Sequence, residues 1–401
     1  MVSYRQGGAL GNVQVSITTL WPPKEGRYLI ALKSAGVGVS GGAIVECFAG
    51  NKRLRYFAGQ LLTAADFQDA RRVCDTLQIP LHRVSFAAEY RERVFAHFLR
   101  EYAAGRTPNP DVLCNREIKF GVCLEYMRRL GASKIATGHY ARLQQGVGGP
   151  RLLKAADGAK DQSYFLHGVP AAALAKTLFP LGELRKDEVR RLAHAAGLAV
   201  FDKPDSTGIC FIGERPFREF LSRYLSTAAG PIEDAEGTVI GEHRGLALYT
   251  LGQRSGLKLG GRAGAAAAPW YVAAKDAARN TLIVVQDQGH PLLMSDGFEV
   301  EEMRWLITEA PAECAVKTRY RQADLPCRIE RTSADRWRVT LREPARAVTP
   351  GQYAVFYRDE LCLGGGVIGE RHNSHAATAR TAPPPARREF TYNSSFSLEG
   401  S

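Results

Sequence analysis

An α/β fold followed by a small all-β domain is predicted from three features of the chain. These are alternating helical and strand patterns from Thr63 to Thr137, Gly-rich short runs after Cys210, and period-two alternation from about Phe298 to Ile368. Alternation of the first kind implies a mainly parallel sheet covered by helices. Thr63, with Asp66 three residues on, resembles a capping box and opens a helix from Ala64 to Leu77. A strand from Leu81 to Phe86 and a helix from Ala88 to Ala104, closed by Gly105, come next. A turn at Asn109-Pro110-Asp111 then leads into a helix from Asn115 to Leu130 and an apolar strand from Lys134 to Thr137. The run RKDEVRRLAHAAGL reads as an exposed helix ended by Gly197. Beyond Cys210, GEHRGLALYTLGQRSGLKLGG and PWYV suggest a small middle domain. Trp337, Val339 and Leu341 alternate with Arg336, Arg338 and Thr340, the signature of half-buried strands in a small barrel or sandwich. The first ~60 residues are poorly patterned, and the tail from Asn373 offers little to bury and is expected to be disordered.

A chain of 401 residues with 45% hydrophobic content is long enough for two or three domains with real cores. Its 53 basic residues against 41 acidic ones give a net charge of +12, which favours a polyanionic partner such as nucleic acid. No apolar stretch approaches the roughly 18 to 20 residues needed to span a bilayer, so no membrane role is expected. The eight cysteines, at 47, 74, 114, 123, 210, 314, 327 and 362, are thinly spread behind no signal-like start. That usage points to a reducing compartment, the cytoplasm or, in a eukaryote, the mitochondrial matrix. None forms C-x-x-C and no His pair completes a zinc-ligand spacing, so no metal site is expected.

Two of the cysteines sit in polar, turn-rich islands that suggest a positioned thiol rather than a buried one: Cys114 in GRTPNPDVLCNREIKF and Cys210 in DSTGICFIGER. Cys114 is expected near a helix N-terminus, where the partial positive charge favours thiolate. Cys210 lies between Gly208 and Gly213, in a loop able to move. Asp111, three residues before Cys114, shares a helix face with it if the turn is helical, and is a candidate for proton transfer, target contact or simple capping. The strand KIAT ends at Gly138-His139-Tyr140, and ligands of open α/β sheets bind beyond the carboxyl ends of strands, so His139 is either a site residue or a satisfied structural one.

The segments GRTPNPDVLCNREIKF, IATGHYAR, KDQSYFL, DSTGICFIGER, YTLGQRSGL, PWYV, KTRYRQ and TPGQYAVFY followed by CLGGG resemble those of the tRNA-specific 2-thiouridylases, over about Leu62 to Ile368. The resemblance implies a Rossmann-like parallel-sheet domain of the adenine nucleotide alpha hydrolase type, a small central domain and a C-terminal β-barrel that binds tRNA. The corresponding boundaries are 1–61 for an atypical N-terminal segment, 62–205 for the α/β domain, 206–290 for the central domain, 291–370 for the barrel and 371–401 for the tail. It also implies ATP, with Mg2+ and no prosthetic group, activation of the C2 oxygen of the wobble uridine, and its replacement by sulfur carried as a protein persulfide. By motif, Cys210 resembles the persulfide-bearing cysteine and Cys114 its resolving partner, the two forming a transient disulfide. Gly138 matches a nucleotide contact. Asn109, Pro110, Asp111, His139, Lys160, Asp161, Gln162, Arg319, Tyr320 and Gln352 match contacts to the target base or the tRNA, with Arg319 and Tyr320 pairing phosphate attraction with a stacking face. The implied partners are tRNAs for Lys, Glu and Gln and a persulfide sulfur-donor protein.

One part of the pattern is missing. The family's nucleotide loop reads Ser-Gly-Gly-x-Asp-Ser, whereas here Ser40-Gly41-Gly42 is followed by Ala43, Ile44 and Val45. Residues 43–62 are too few for the helix, strand and connector expected there, since a βαβ unit takes about 30 residues or more. The Ser-Gly-Gly match therefore reads as accidental. Two further readings stay open beside the thiouridylase: a tRNA-binding homologue that does not adenylate, and a persulfide carrier that acts without tRNA.

Overall fold

The computed structural model describes residues 27–30, 44–48, 55–59, 64–77, 81–146, 148–203, 221, 224–225, 228–259 and 268–374. The expected cap at Thr63, the Ser40-Gly41-Gly42 stretch, Cys210 and the tail beyond Ser374 lie outside these residues.

The first sheet begins with β1 (Arg27–Ile30), β2 (Ile44–Phe48) and β3 (Arg55–Gly59). Helix α1 (Ala64–Leu77) then crosses over to β4 (Leu81–Val84), which pairs parallel with β3. Strand β2 is antiparallel to both β1 and β3. The β2–β3 connection, residues 49–54, is far shorter than the dozen or more residues a parallel crossover needs. Farther along, β5 (Lys134–Ala136) pairs parallel with β1. The alternating pattern thus yields parallel pairings wherever a crossover separates the strands, and the short N-terminal stretch inserts one antiparallel strand.

A continuous helical stretch follows β4: α2 (Ala87–Tyr90), a π turn (Arg91–Phe95) and α3 (Ala96–Ala103). It buries Val94, Phe98, Leu99 and Tyr102, and the chain leaves it through Gly105 at φ +77°. The next helix starts earlier than its apolar pattern indicates. Asn109 is its N-cap and accepts a hydrogen bond from the Asp111 N–H at 3.1 Å, and Pro110 fills the first helical position of α4 (Pro110–Leu113). The Asn-Pro-Asp turn is therefore the first turn of the helix. π turns over Cys114–Cys123 carry it into α5 (Leu124–Arg129), with the backbone broken at Gly121.

After β5 come the hairpin β6 (Arg142–Gly146) and β7 (Gly149–Leu153), then α6 (Ser163–Leu166), α7 (Ala171–Leu174), β8 (Thr177–Leu178) and α8 (Lys186–Ala195). Strand β8 pairs parallel with β5, giving the sheet order β4-β3-β2-β1-β5-β8. Helix α8 ends before Gly197 at φ +70°.

The central domain is a four-stranded sheet of β9 (Gly230–Glu233), β10 (Val239–His243), β11 (Tyr271–Asp276) and β12 (Thr281–Val285), ordered β10-β9-β12-β11. The last domain resolves the choice between sandwich and barrel. Strands β13 (Met294–Trp305), β14 (Glu313–Lys317), β15 (Leu325–Arg331), β16 (Arg336–Arg346), β17 (Tyr353–Arg358) and β18 (Leu361–His372) form an antiparallel sheet that closes through β13–β18 pairing. Val339 and Leu341 point into its core with Phe298, Val316, Ile329 and Phe356, while Arg336, Arg338 and Thr340 face out.

The α/β domain and the barrel share structure. Leu153 of β7 pairs with Leu361 of β18, so the β6–β7 hairpin extends the barrel's sheet. Beside it, the buried His167 lies against Gly365, where an added Cβ would meet the imidazole at 2.7 Å. The same Cβ would stand 2.5 Å from the Ala354 carbonyl of β17, so glycine at 365 serves both the barrel's own packing and the approach of His167.

Candidate active site

The helix that starts at Asn109 carries Cys114 one turn inside, not at an open N-terminus. Cys114 is 1% exposed and packs with Phe95, Phe98, Leu99, Leu113 and Ile118. Burial raises its thiol, Lys119 partly opposes the rise and Asp111 adds a smaller one, and together they leave it at about 11. This corrects two expectations: the island buries the thiol, and desolvation outweighs any help to the thiolate from the helix dipole, because the dipole acts at the first turn and Cys114 lies beyond it. Asp111 is half-buried, sits in that first turn and acts on Cys114 against the thiolate.

The barrel holds the cap of this helix in place. The Thr107 N–H donates to the Pro350 carbonyl at 3.0 Å, and Gln352 Nε2 donates to the Thr107 carbonyl at 2.8 Å. Between them Gly351 has φ +90°, and a Cβ there would stand 2.8 Å from the Thr107 nitrogen. Gln352 therefore reaches the segment that leads into Asn109 and Pro110. Arg319 holds the same barrel loop from its other side. Its Nη2 donates to the Leu251 carbonyl at 2.7 Å, the Ala347 carbonyl at 2.8 Å and Thr349 Oγ1 at 2.8 Å. This guanidinium ties the central domain to the barrel, so the structure uses it as an internal clamp where the motif suggests phosphate attraction.

Immediately after Cys114, Asn115 is buried and joins three elements. Its Nδ2 donates to the Phe165 carbonyl at 3.2 Å, and its Oδ1 accepts from His139 Nε2 at 3.2 Å. His139 Nδ1 bonds Thr137 Oγ1 at 2.7 Å, and the ring packs in a three-ring cluster with Phe120 and Phe179, which also touch each other. Both ring nitrogens of His139 thus have protein partners. Gly138, beside it at the carboxyl end of β5, is buried.

Phe165 leads on to the barrel: its ring centroid is 4.4 Å from that of Tyr320. The Lys160-Asp161-Gln162 turn precedes α6 at this contact. Gln162 Oε1 accepts from the Tyr140 N–H at 3.0 Å and the Lys160 N–H donates to the Asp157 carbonyl at 3.0 Å. Burial raises the Tyr320 hydroxyl, Asp161 adds to the rise, and Arg321 and Lys160 oppose it. Asn109, Pro110, Asp111, Cys114, His139, the 160–162 turn, Tyr320 and Gln352 are therefore linked around one junction between the α/β domain and the barrel. Asn115, Thr107 and Lys317, whose Nζ lies 4.0 Å from Asp161 Oδ2, join them without having been singled out within their motifs. Asn115 follows Cys114 directly and Lys317 opens KTRYRQ, but nothing local marks a side chain that acts across domains. Among the described residues no cluster of His, Cys, Asp and Glu could hold a metal ion, and no helix is long and apolar enough to cross a membrane.

The fold and the junction define the class: an α/β nucleotide-hydrolase-like domain, a central domain and a barrel that together surround a cysteine-bearing helix. Residues 29–214 match the tRNA methyl transferase HUP domain, 218–286 the tRNA methyl transferase PRC-barrel domain and 295–368 the aminomethyltransferase beta-barrel domain. The chain is 54% identical over 310 residues to a tRNA-specific 2-thiouridylase MnmA from Idiomarina loihiensis, covering 76% of this chain and 84% of that one. It is 57% identical over 311 residues to the namesake from Chromohalobacter salexigens, covering 77% and 81%. The chain belongs to the tRNA-specific 2-thiouridylase family.

Proposed function

We propose that this protein is a tRNA-uridine 2-sulfurtransferase, which uses ATP to replace the C2 oxygen of the wobble uridine in tRNA with sulfur. The observation that carries the reading is the junction itself. Cys114, Asn115 and His139 are tied to the 160–162 turn and Tyr320 through Phe165, and this happens in a chain more than half identical to thiouridylases over three quarters of its length. ATP, with Mg2+, supplies the activation of the C2 oxygen. The edge where the parallel strands β1 and β5 both end, beside Gly138, is where such a nucleotide would bind.

In this reading Cys210 carries the persulfide. Its outer sulfur bonds to C2 as the activated oxygen leaves with AMP, and pyrophosphate has been released in the activation. The Cys114 thiolate then attacks the Cys210 sulfur, breaking its bond to the transferred sulfur and leaving a Cys114–Cys210 disulfide and a thiolated base; external thiol reduces the disulfide. A thiol held at about 11 is almost wholly protonated at pH 7, so resolution requires Cys114 to be uncovered when tRNA and Cys210 approach. Asp111, Asn109 and Pro110 face the target base. Lys160, Gln162 and Tyr320 contact the tRNA from one side of the junction, and Gln352 sets the loop on the other. The acceptors are tRNAs for Lys, Glu and Gln, a persulfide protein donates the sulfur, and the reaction belongs in the reducing cytoplasm.

The test is incubation with ATP, a persulfide donor and unmodified tRNA, reading 2-thiouridine and pyrophosphate together. Both products are expected, and Cys114→Ser and Cys210→Ser each abolish thiolation. Binding of tRNA without pyrophosphate release would assign the chain instead as a non-adenylating tRNA-binding homologue, the reading that the unmatched Ser-Gly-Gly-x-Asp-Ser loop favours.

A further inference from the structure

We propose that Lys317 is a positioning residue: with Asp161, Asp324 and Lys154 it forms an ion cluster across the boundary between the α/β domain and the barrel. That cluster sets the 160–162 turn against Tyr320. The proposal rests on the reading of this turn as a tRNA contact, and it changes the part played by the middle residue. Asp161 is 5% exposed and turned inward. Its Oδ1 accepts from the Ala155 N–H at 3.0 Å and the Ser163 N–H at 3.1 Å, and its Oδ2 from Ser163 Oγ at 2.9 Å. The carboxylate therefore fastens the two ends of the 155–163 segment to each other, and Lys160 and Gln162 are held between them.

A buried carboxylate supported only by neutral donors is costly, so the position of the nearest cation matters. That cation is on the barrel: Lys317 Nζ lies 4.0 Å from Asp161 Oδ2 and 3.7 Å from Asp324 Oδ1. The other oxygen of Asp324 binds Lys154, which comes back from the α/β domain. Both ammonium groups lie over the Tyr357 ring, at 4.6 Å for Lys154 and 5.2 Å for Lys317, and the Tyr357 hydroxyl is 3.1 Å from Ser163 Oγ. The two lysine side chains are only 19% and 13% exposed, so solvent screens the cluster less than a surface pair. Two cations and two carboxylates balance, and removal of Lys317 leaves an excess negative charge at the domain boundary. Lys317 ends β14 three residues before Tyr320, which rests on Phe165. Its ion pair therefore couples the barrel segment that presents the aromatic ring to the turn that presents Lys160.

The experiment compares Lys317→Met and Lys317→Arg with the parent protein by hydrogen exchange of residues 155–163 in the absence of ligand, by tRNA affinity, and by steady-state thiolation. For Lys317→Met the expected result is exchange at Ala155 and Ser163 about tenfold faster, tRNA affinity and KM about tenfold weaker, and kcat within about twofold. Lys317→Arg restores all of these to within about twofold, which a purely steric role for the lysine would not do. Unchanged exchange in Lys317→Met overturns the cluster as a positioning device, and faster exchange with unchanged tRNA affinity overturns its link to recognition. If the parent protein itself fails to bind tRNA, the functional reading falls, while the exchange measurement still decides the role of Lys317. Should Lys317→Met lose its fold by circular dichroism, Asp324→Asn, which cuts the bridge between the two lysines, is read by the same criteria.

Discussion

Alkylation of Cys114 should be slow in the folded protein and should accelerate steeply with pH. The thiol is held at about 11 against an ordinary 9.0 by burial, with Lys119 opposing and Asp111 adding a smaller rise. At pH 8 that leaves about one thiol in a thousand as thiolate, against roughly one in ten for an unperturbed cysteine, so the rate should fall about 100-fold before any steric shielding is counted. Between pH 8 and 10 the folded-state rate should rise about 90-fold, whereas the urea-unfolded chain, titrating near 9, should gain only about tenfold. The assay is peptide-resolved iodoacetamide labelling followed by mass spectrometry, with the unfolded chain as reference. The linkage has a definite sign. Because the folded value lies above the unfolded one, the contribution to stability is fully present below pH 9 and is lost as the pH climbs through about 11. The difference between about 11 and 9.0 corresponds to about 3 kcal/mol. Labelling at pH 8 as fast in the folded protein as in urea would refute the argument that burial governs this thiol.

Three other outcomes rest on buried or closely packed groups elsewhere in the fold. His167 is buried, its Nδ1–H donates to the Tyr164 carbonyl at 2.7 Å, and burial depresses it to about 4. Its contribution to stability is present above pH 6.5 and lost as the pH falls toward 4, so its NMR signals should not titrate between pH 8 and 5; a midpoint near 6.5 would show the site is open to water. Arg319→Ala removes three hydrogen bonds from a clamp between the central domain and the barrel and should cost about 2–4 kcal/mol in urea unfolding, with a loss below about 1 kcal/mol ruling the clamp out. Gly351→Ala places a methyl 2.8 Å from the Thr107 nitrogen in a left-handed backbone and should cost about 1–3 kcal/mol, measured the same way; a neutral result would mean that the two loops separate freely.

The helices were legible because their signals are local. The capping-box pattern at Thr63 and Asp66 opened a helix over Ala64–Leu77, where α1 lies, and Gly105 and Gly197 marked chain exits that the structure puts at positive φ. The helix of Cys114 was misplaced at its start because Asn109-Pro110-Asp111 satisfies both a turn and an N-cap, and only the hydrogen bond from the Asp111 N–H to Asn109 decides between them. The antiparallel insertion of β2 agrees with an arithmetic argument about residues 43–62, because connection length limits strand direction directly. Closure of the barrel was not legible: alternation assigns residues to an inner and an outer face but does not say which strand pairs with the first.

By itself, then, the sequence determined the alternating α/β segment, the period-two barrel strands, the basic charge and the motif set that marks the family, since each depends on residue type and spacing along the chain. Tertiary structure decided what those motif residues do. It buried Cys114, turned Arg319 into a clamp, gave both nitrogens of His139 protein partners, and set Asp161 inward against Lys317 from a strand more than 150 positions away. Burial and charge pairing depend on which segments meet in space, and no spacing within a single motif records that meeting.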